Sequence, residues 1–236
     1  MSSNINVNED YIFSIKNIIE YTKHVSKNTI LKQEIKQNIK KSRNRFLPNH
    51  KDKLFWCLFV IIFGLDEYEM IGTHFFEKEQ KLKFDFIDQI RKHKDKLKAN
   101  QFKPLCSFED DLANNPSISL NTFMALICIY DKNICYRNGK KIFSSIRNEN
   151  QDYFLLTKLE PNVENYELEL GDEVNNKIED LKLSLYEIPS YQYKLKSITS
   201  YKTDDLKEMC NKFNIDLSYT GKILKKDLYE KLKVFF

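Results

Sequence analysis

The side chains able to do covalent or metal chemistry are five cysteines, four histidines and two small clusters of carboxylates. The cysteines are Cys57, Cys106, Cys128, Cys135 and Cys210, an odd number with loose spacing and no CxxC. This pattern points to a reducing compartment and against a disulfide framework. The histidines, His24, His50, His74 and His93, make no zinc spacing with one another or with the cysteines, so no metal site is expected. A thiol nucleophile needs an accessible, electropositive setting and a base. Cys57 sits inside the apolar run Leu54–Leu65, where a small buried hydrophobe is expected instead. Asp66, Glu67 and Glu69 read as a solvated helix end. Glu167, Glu169 and Asp172 are able to ligate a metal but fit better an alternating strand face that exposes its carboxylates. The five glycines are isolated, with neither a P-loop nor GxGxxG, so no cofactor is expected.

Phosphate contact is the chemistry the charges favour. Net charge is only +4, too mild for a histone-like protein, but it is unevenly spread. Lys23–Lys53 carries +8 and Gln151–Asp180 carries −7, so one side of the molecule suits a polyanion. Arg43 and Arg45 are the strongest phosphate candidates there, because a guanidinium grips phosphate bidentately. The abundance of Lys, Asn, Ile, Phe and Tyr matches AT-rich codons, which accounts for lysine more readily than for arginine. In the C-terminal stretch, Lys202, Lys207, Lys222, Lys225 and Lys226 are the available cations, with Tyr219, Thr220 and Gly221 at a turn. Lysines and helix N-termini contact phosphate without regard to base sequence.

The elements that must position these residues are those of an α+β chain. Apolar stripes predict helices from Asp10, through Ile30–Ile39, from Leu54 to about Gly64, along Phe75–Leu97 as one long segment, and from Ser119 or Asn121 through Ile127. Phe108–Leu112 suggests a helical turn. Ile134–Phe143 is a β-hairpin signal, with Asn138-Gly139 expected as the centre of a type I′ turn. Tyr153–Thr157, Tyr166–Leu170 and Leu183–Ile188 read as strands, and Ser190–Lys196 as a linker. Thr203 is the expected cap of a helix with Leu206, Met209, Cys210 and Phe213 on its core face, and Leu224, Leu228 and Leu232 line a second helix. The expected divisions are a basic helical segment (1–50), an α+β body with a small antiparallel sheet (51–189) and a helix–extended loop–helix module (197–236). The 12-residue apolar run is too short for a bilayer, which needs about 20 residues, and Met1–Asp10 is polar, so a non-membrane protein of the cytoplasm or nucleus is expected.

Leu206, Phe213, Ile215, Leu217, Gly221-Lys222, Leu228 and Leu232 give the C-terminal stretch a pattern that resembles a SAP module. That resemblance covers about one sixth of the chain and implies sequence-tolerant binding of nucleic acid, duplex DNA in the first instance. Ile223-Leu224 departs from it where the family often has a polar or basic residue. The body, by element order, resembles an OTU or papain-like cysteine protease: Asp52-Lys53-Leu54-Phe55 would occupy the nucleophile turn, Ile90-Arg91 a later helix, and Phe123–Tyr130 the helix before the hairpin. Lys53 stands where that family has its cysteine, and Gln151-Asp152-Tyr153 where it has its histidine, so the resemblance implies an inactive or divergent hydrolase or a ubiquitin-type binding module. Lys53-Leu-Phe-Trp-Cys57, its aliphatic continuation and the SAP-like tail also resemble proteins of large AT-rich DNA viruses, which implies the host cytoplasm or the virion. The sequence therefore leads to a non-enzymatic, nucleic-acid-associated protein whose body meets an unknown protein partner.

Overall fold

The computed structural model describes residues 44–160, 163–215 and 224–236. The expected helices from Asp10 and through Ile30–Ile39, Arg43, and Tyr219–Lys222 lie outside the described residues. The chain divides into two compact units, Met1–Asn44 and Arg45–Phe236, and all the described helices and strands belong to the second. The division falls at Asn44, not at residue 50, because β1 (Arg45–Phe46) already belongs to the sheet.

The architecture is α+β, with six strands in the order β1-β5-β4-β2-β3-β6. The others are β2 (Asn133–Asn138), β3 (Lys141–Ser145), β4 (Tyr153–Glu160), β5 (Val163–Glu169) and β6 (Tyr186–Glu187). The sheet is mixed, because β2 pairs with β4, and β3 with β6, in parallel. Register separates its two faces. Ile134, Tyr136, Leu156 and Leu168 join the main core beneath the helices. Cys135, Ile142 and Leu155 pack instead on Val174 and Ile178 of α7 (Glu173–Ser184).

Six helices build the first layer: α1 (Lys53–Phe63), α2 (Leu65–Glu69), α3 (Phe75–Lys92), α4 (Lys94–Ala99), α5 (Leu105–Asn114) and α6 (Leu120–Ile129). Eight consecutive residues of α1, Leu54–Ile61, are buried, as expected for a helix that is apolar all round. Two C-terminal helices, α8 (Thr203–Lys212) and α9 (Lys225–Lys233), follow the sheet.

Several expectations are corrected. The long segment from Phe75 breaks at His93 into α3 and α4. Phe108–Leu112 belongs to a full ten-residue helix. The hairpin pairs Asn138 with Lys141, so Gly139 and Lys140 are its central residues. Only Gly139, at φ 58°, is left-handed, which is the pattern of a II′ turn with glycine first. Glu173–Ser184 is a helix because Val174, Ile178 and Leu181 recur at helical spacing over the sheet, which leaves only Tyr186–Glu187 of the strand expected at Leu183–Ile188. The segment expected as a linker is tied down: the Tyr191 hydroxyl donates to Asn121 Oδ1, and its ring packs on Phe143.

Candidate functional site

The C-terminal helices form a small core of their own from Leu206, Met209, Cys210, Phe213, Leu228 and Leu232. Thr203 is the first residue of α8 instead of its cap. Lys202 takes the cap position, and its backbone N–H donates to Asp205 Oδ2 at 2.8 Å. Leu224 caps α9 with no side-chain hydrogen bond, and Lys225 and Lys226 are the first two residues of that helix.

This pair is mounted on the β3–β6 edge of the sheet. Lys140 Nζ donates to the Phe213 carbonyl, and Lys141 Nζ lies 4.7 Å from the centre of the Phe236 ring. Tyr186 of β6 packs on Phe213 with ring centres 5.3 Å apart. The approach is held by Tyr193 Oη and Tyr201 Oη, 2.9 Å apart, and by Tyr229 Oη donating to the Lys196 carbonyl at 2.9 Å.

Among the candidate phosphate ligands, Lys202, Lys207 and Lys226 are exposed and Lys225 is half-buried. Lys207 Nζ reaches Asp204 at 3.2 Å, an exposed pair within one helix turn. Arg45 lies elsewhere: β1 and β6 are opposite edges of the sheet, about 24 Å apart across five strand spacings. Its guanidinium is paired with Glu167, which is buried, so Glu167 does not form part of an exposed carboxylate face. Glu169 is taken by Lys177 at 2.5 Å. Among the described residues no group of three or more His, Cys, Asp or Glu is placed to hold a metal.

The turn before α1 carries a second polar centre. Asp52 caps the helix, with Oδ1 accepting from Phe55 N at 3.0 Å. Its Oδ2 accepts from Ile118 N at 3.0 Å and pairs with Lys83 Nζ at 2.8 Å. Lys83, only 4% exposed, also reaches Glu79 at 2.9 Å, and Glu79 accepts from Trp56 Nε1 at 3.2 Å. Burial pushes the Asp52 carboxyl upward while the ammonium and the two backbone donors pull it down. Burial works against the Lys83 charge, but its two carboxylate partners outweigh it and hold the ammonium above its ordinary value. The centre is a satisfied structural network.

Beside it, Lys53, the first residue of α1, has its Nζ donating to Asn165 Oδ1 at 2.7 Å. Cys57 is 0% exposed, and burial, then the charge of Asp52, pushes its thiol far up. A thiol so placed is neither accessible nor ionised at neutral pH. His50 is a packed residue: its ring centre lies 4.2 Å from that of Phe75 and 4.9 Å from that of Trp56, with Nε2 3.0 Å from Tyr68 Oη. Burial lowers its pKa from the ordinary imidazole value, against the opposing pull of Glu79.

Two further buried polar residues escape a reading of the sequence. Asp111 takes Ser119 N at 2.7 Å, Asn115 Nδ2 at 2.7 Å and the Thr122 hydroxyl, joining α5 to the start of α6. Asn133 closes the β3–β4 connection through Arg147 N, Asn148 N and the carbonyls of Asn148 and Gln151. Asn133 is signalled in advance only by the apolar stretch that follows it, and Asp111, between Asp110 and Leu112, by nothing local. No protein-family model, curated protein or solved structure matches the chain.

Proposed function

We propose that this chain is a non-enzymatic, nucleic-acid-associated protein whose C-terminal helices grip the phosphate backbone of DNA or RNA, duplex DNA in the first instance. The observation that carries the reading is the helical pair: its apolar positions close on one another, and Lys202, Lys207 and Lys226 are left on the exterior, with Lys225 at the start of α9. Contacts of that kind are electrostatic and tolerant of sequence. Mounting on the β3–β6 edge makes the tail a fixed arm of the body, which presents the rest of the protein to a partner in one orientation. The hydrolase alternative lacks its nucleophile, because Lys53 occupies that position and Cys57 is buried. Among the described residues no helix is long and apolar enough to cross a membrane.

Deleting residues 197–236 would strip the cover from Tyr186 and Lys140 and so disturb the body. Point substitution is the cleaner test. In a mobility-shift assay on duplex DNA, the triple variant Lys222→Ala, Lys225→Ala, Lys226→Ala should bind more weakly than the full chain and lose less affinity as salt is raised. Equal shifts at every salt concentration would remove the tail from the interface.

A further inference from the structure

We propose that the outer side of α3 is a self-association surface, on which α3 of a second copy of this chain lies antiparallel. The inference does not depend on the protein's binding nucleic acid.

Helix α3 is the longest of the described helices, with 18 residues and a length of about 27 Å. Its inner side is committed to the core through Leu82, Lys83, Phe86, Ile87 and Ile90, which are buried. Two large apolar side chains nevertheless point away from that core: Phe76 is 75% exposed and Phe84 is 62% exposed. They are the two most exposed phenylalanines among the described residues. The exposed Gln80 stands between them, and positions 76, 80 and 84 follow one another at four-residue spacing, so the three share a face. One exposed apolar residue is ordinary on a soluble protein, but two of this size aligned on a single anchored helix mark a contact surface.

The charges beside this row select the occupant. His74, Glu77, Lys81 and Asp88 are exposed along one flank of it. Glu77 has His74 Nδ1 at 3.5 Å with both side chains open to solvent, and Asp88 has Arg91 at 3.9 Å, also on the surface. Exposed pairs of this kind are weak and are readily exchanged. A two-fold axis perpendicular to α3 and level with Gln80 sets Phe76 against Phe84 of the second copy, and Phe84 against its Phe76. The same rotation places Glu77 within one helical turn of Lys81 of the second copy, and Asp88 within one turn of its His74. Each contact therefore occurs twice and joins opposite charges, as a self-complementary two-fold interface requires. A flank that carries both signs suits neither a polyanion nor an anionic membrane.

The test is sedimentation of the full chain over a dilution series. Wild type should approach twice the 28.2 kDa mass of one chain as concentration rises. The variant Phe76→Gln, Phe84→Gln should raise the dimer dissociation constant about 100-fold or more, since each dimer loses four buried rings. Both positions are exposed, so its thermal melt at low concentration should match that of wild type. Glu77→Lys alone and Lys81→Glu alone should each shift the protein towards monomer, because each sets like charges opposite one another. Mixing those two variants should restore a dimer, in which every Lys at 77 or 81 meets a Glu of the other copy. A charge effect confined to one helix cannot produce that rescue. Wild type that stays monomeric at high micromolar concentration overturns the inference and leaves the face to a different protein. A dimer unaffected by the phenylalanine substitutions, or a mixture that stays monomeric, overturns it as well.

Discussion

Replacing Asp52 by alanine removes three interactions at once, and the structure sets the size of the loss. The N-cap of α1 is worth about 1 kcal/mol. The buried Ile118 N–H, with no other acceptor among the described residues, costs about 1–3 kcal/mol when orphaned. Lys83 keeps Glu79 but loses its closer carboxylate, and breaking one side of a buried pair is expensive. Together Asp52→Ala should cost about 3–5 kcal/mol. For a unit of this size that is a fall of about 10–15 °C in Tm. Asp52→Asn separates the terms: asparagine caps a helix as well as aspartate does, so only the charge and one acceptor are lost, about 1–3 kcal/mol. Urea unfolding of the three proteins measures both steps. A loss for Asp52→Ala within about 0.5 kcal/mol, the level of an ordinary surface change, would refute the account of this centre as the anchor joining α1, α3 and the approach to α6.

Three further predictions concern buried and exposed chemistry. Cys57→Ser should lower stability by about 1–3 kcal/mol in denaturant unfolding, because the hydroxyl enters an apolar site, and should leave nucleic acid binding unchanged. Asp111 is held below its usual carboxylate range: burial pushes it up, but Asn115, Thr122 and Ser119 outweigh that push. The folded pKa lies below the unfolded one, so its stabilisation is present above about pH 4 and is lost as pH falls through the folded value. The stability gap between wild type and Asp111→Asn, about 1–3 kcal/mol at neutral pH, should therefore narrow in unfolding curves taken below pH 4, and a gap constant with pH would contradict the pairing. Cys106 is exposed while the other four cysteines are buried, so a thiol reagent should modify one equivalent quickly in the native protein and none quickly in Cys106→Ala.

The legible parts of the fold are those written in local pattern. The all-apolar run marks α1, and the tail's leucines and Phe213 announce a two-helix core that forms as its spacing requires. Asn138-Gly139 locates the hairpin but misplaces its turn by one residue, because strand pairing, and not the preferred dipeptide, decides which residues are central. Helix α7 is hidden by its acidity: only Val174, Ile178 and Leu181 face the sheet, and the charges between them obscure their spacing. The two-residue strand β1 has no local signature, since its partner lies on β5, more than a hundred residues away. Distance along the chain also hides the roles of Asp52, whose acceptor sites are filled from Phe55, Lys83 and Ile118, and of Lys140, which meets Phe213 only after the tail has docked. A guanidinium makes Arg45 a phosphate candidate, and nothing in its sequence neighbours foretells Glu167.

The central claim, that the C-terminal helices touch a phosphate backbone, is tested most directly by lysine footprinting. The native protein is acetylated briefly with and without saturating duplex DNA, and each lysine is read by mass spectrometry. Lys202, Lys225 and Lys226 should become protected, while the exposed Lys177, in the acidic stretch, keeps its rate. Unchanged acetylation of all three tail lysines with the duplex fully bound would contradict the claim.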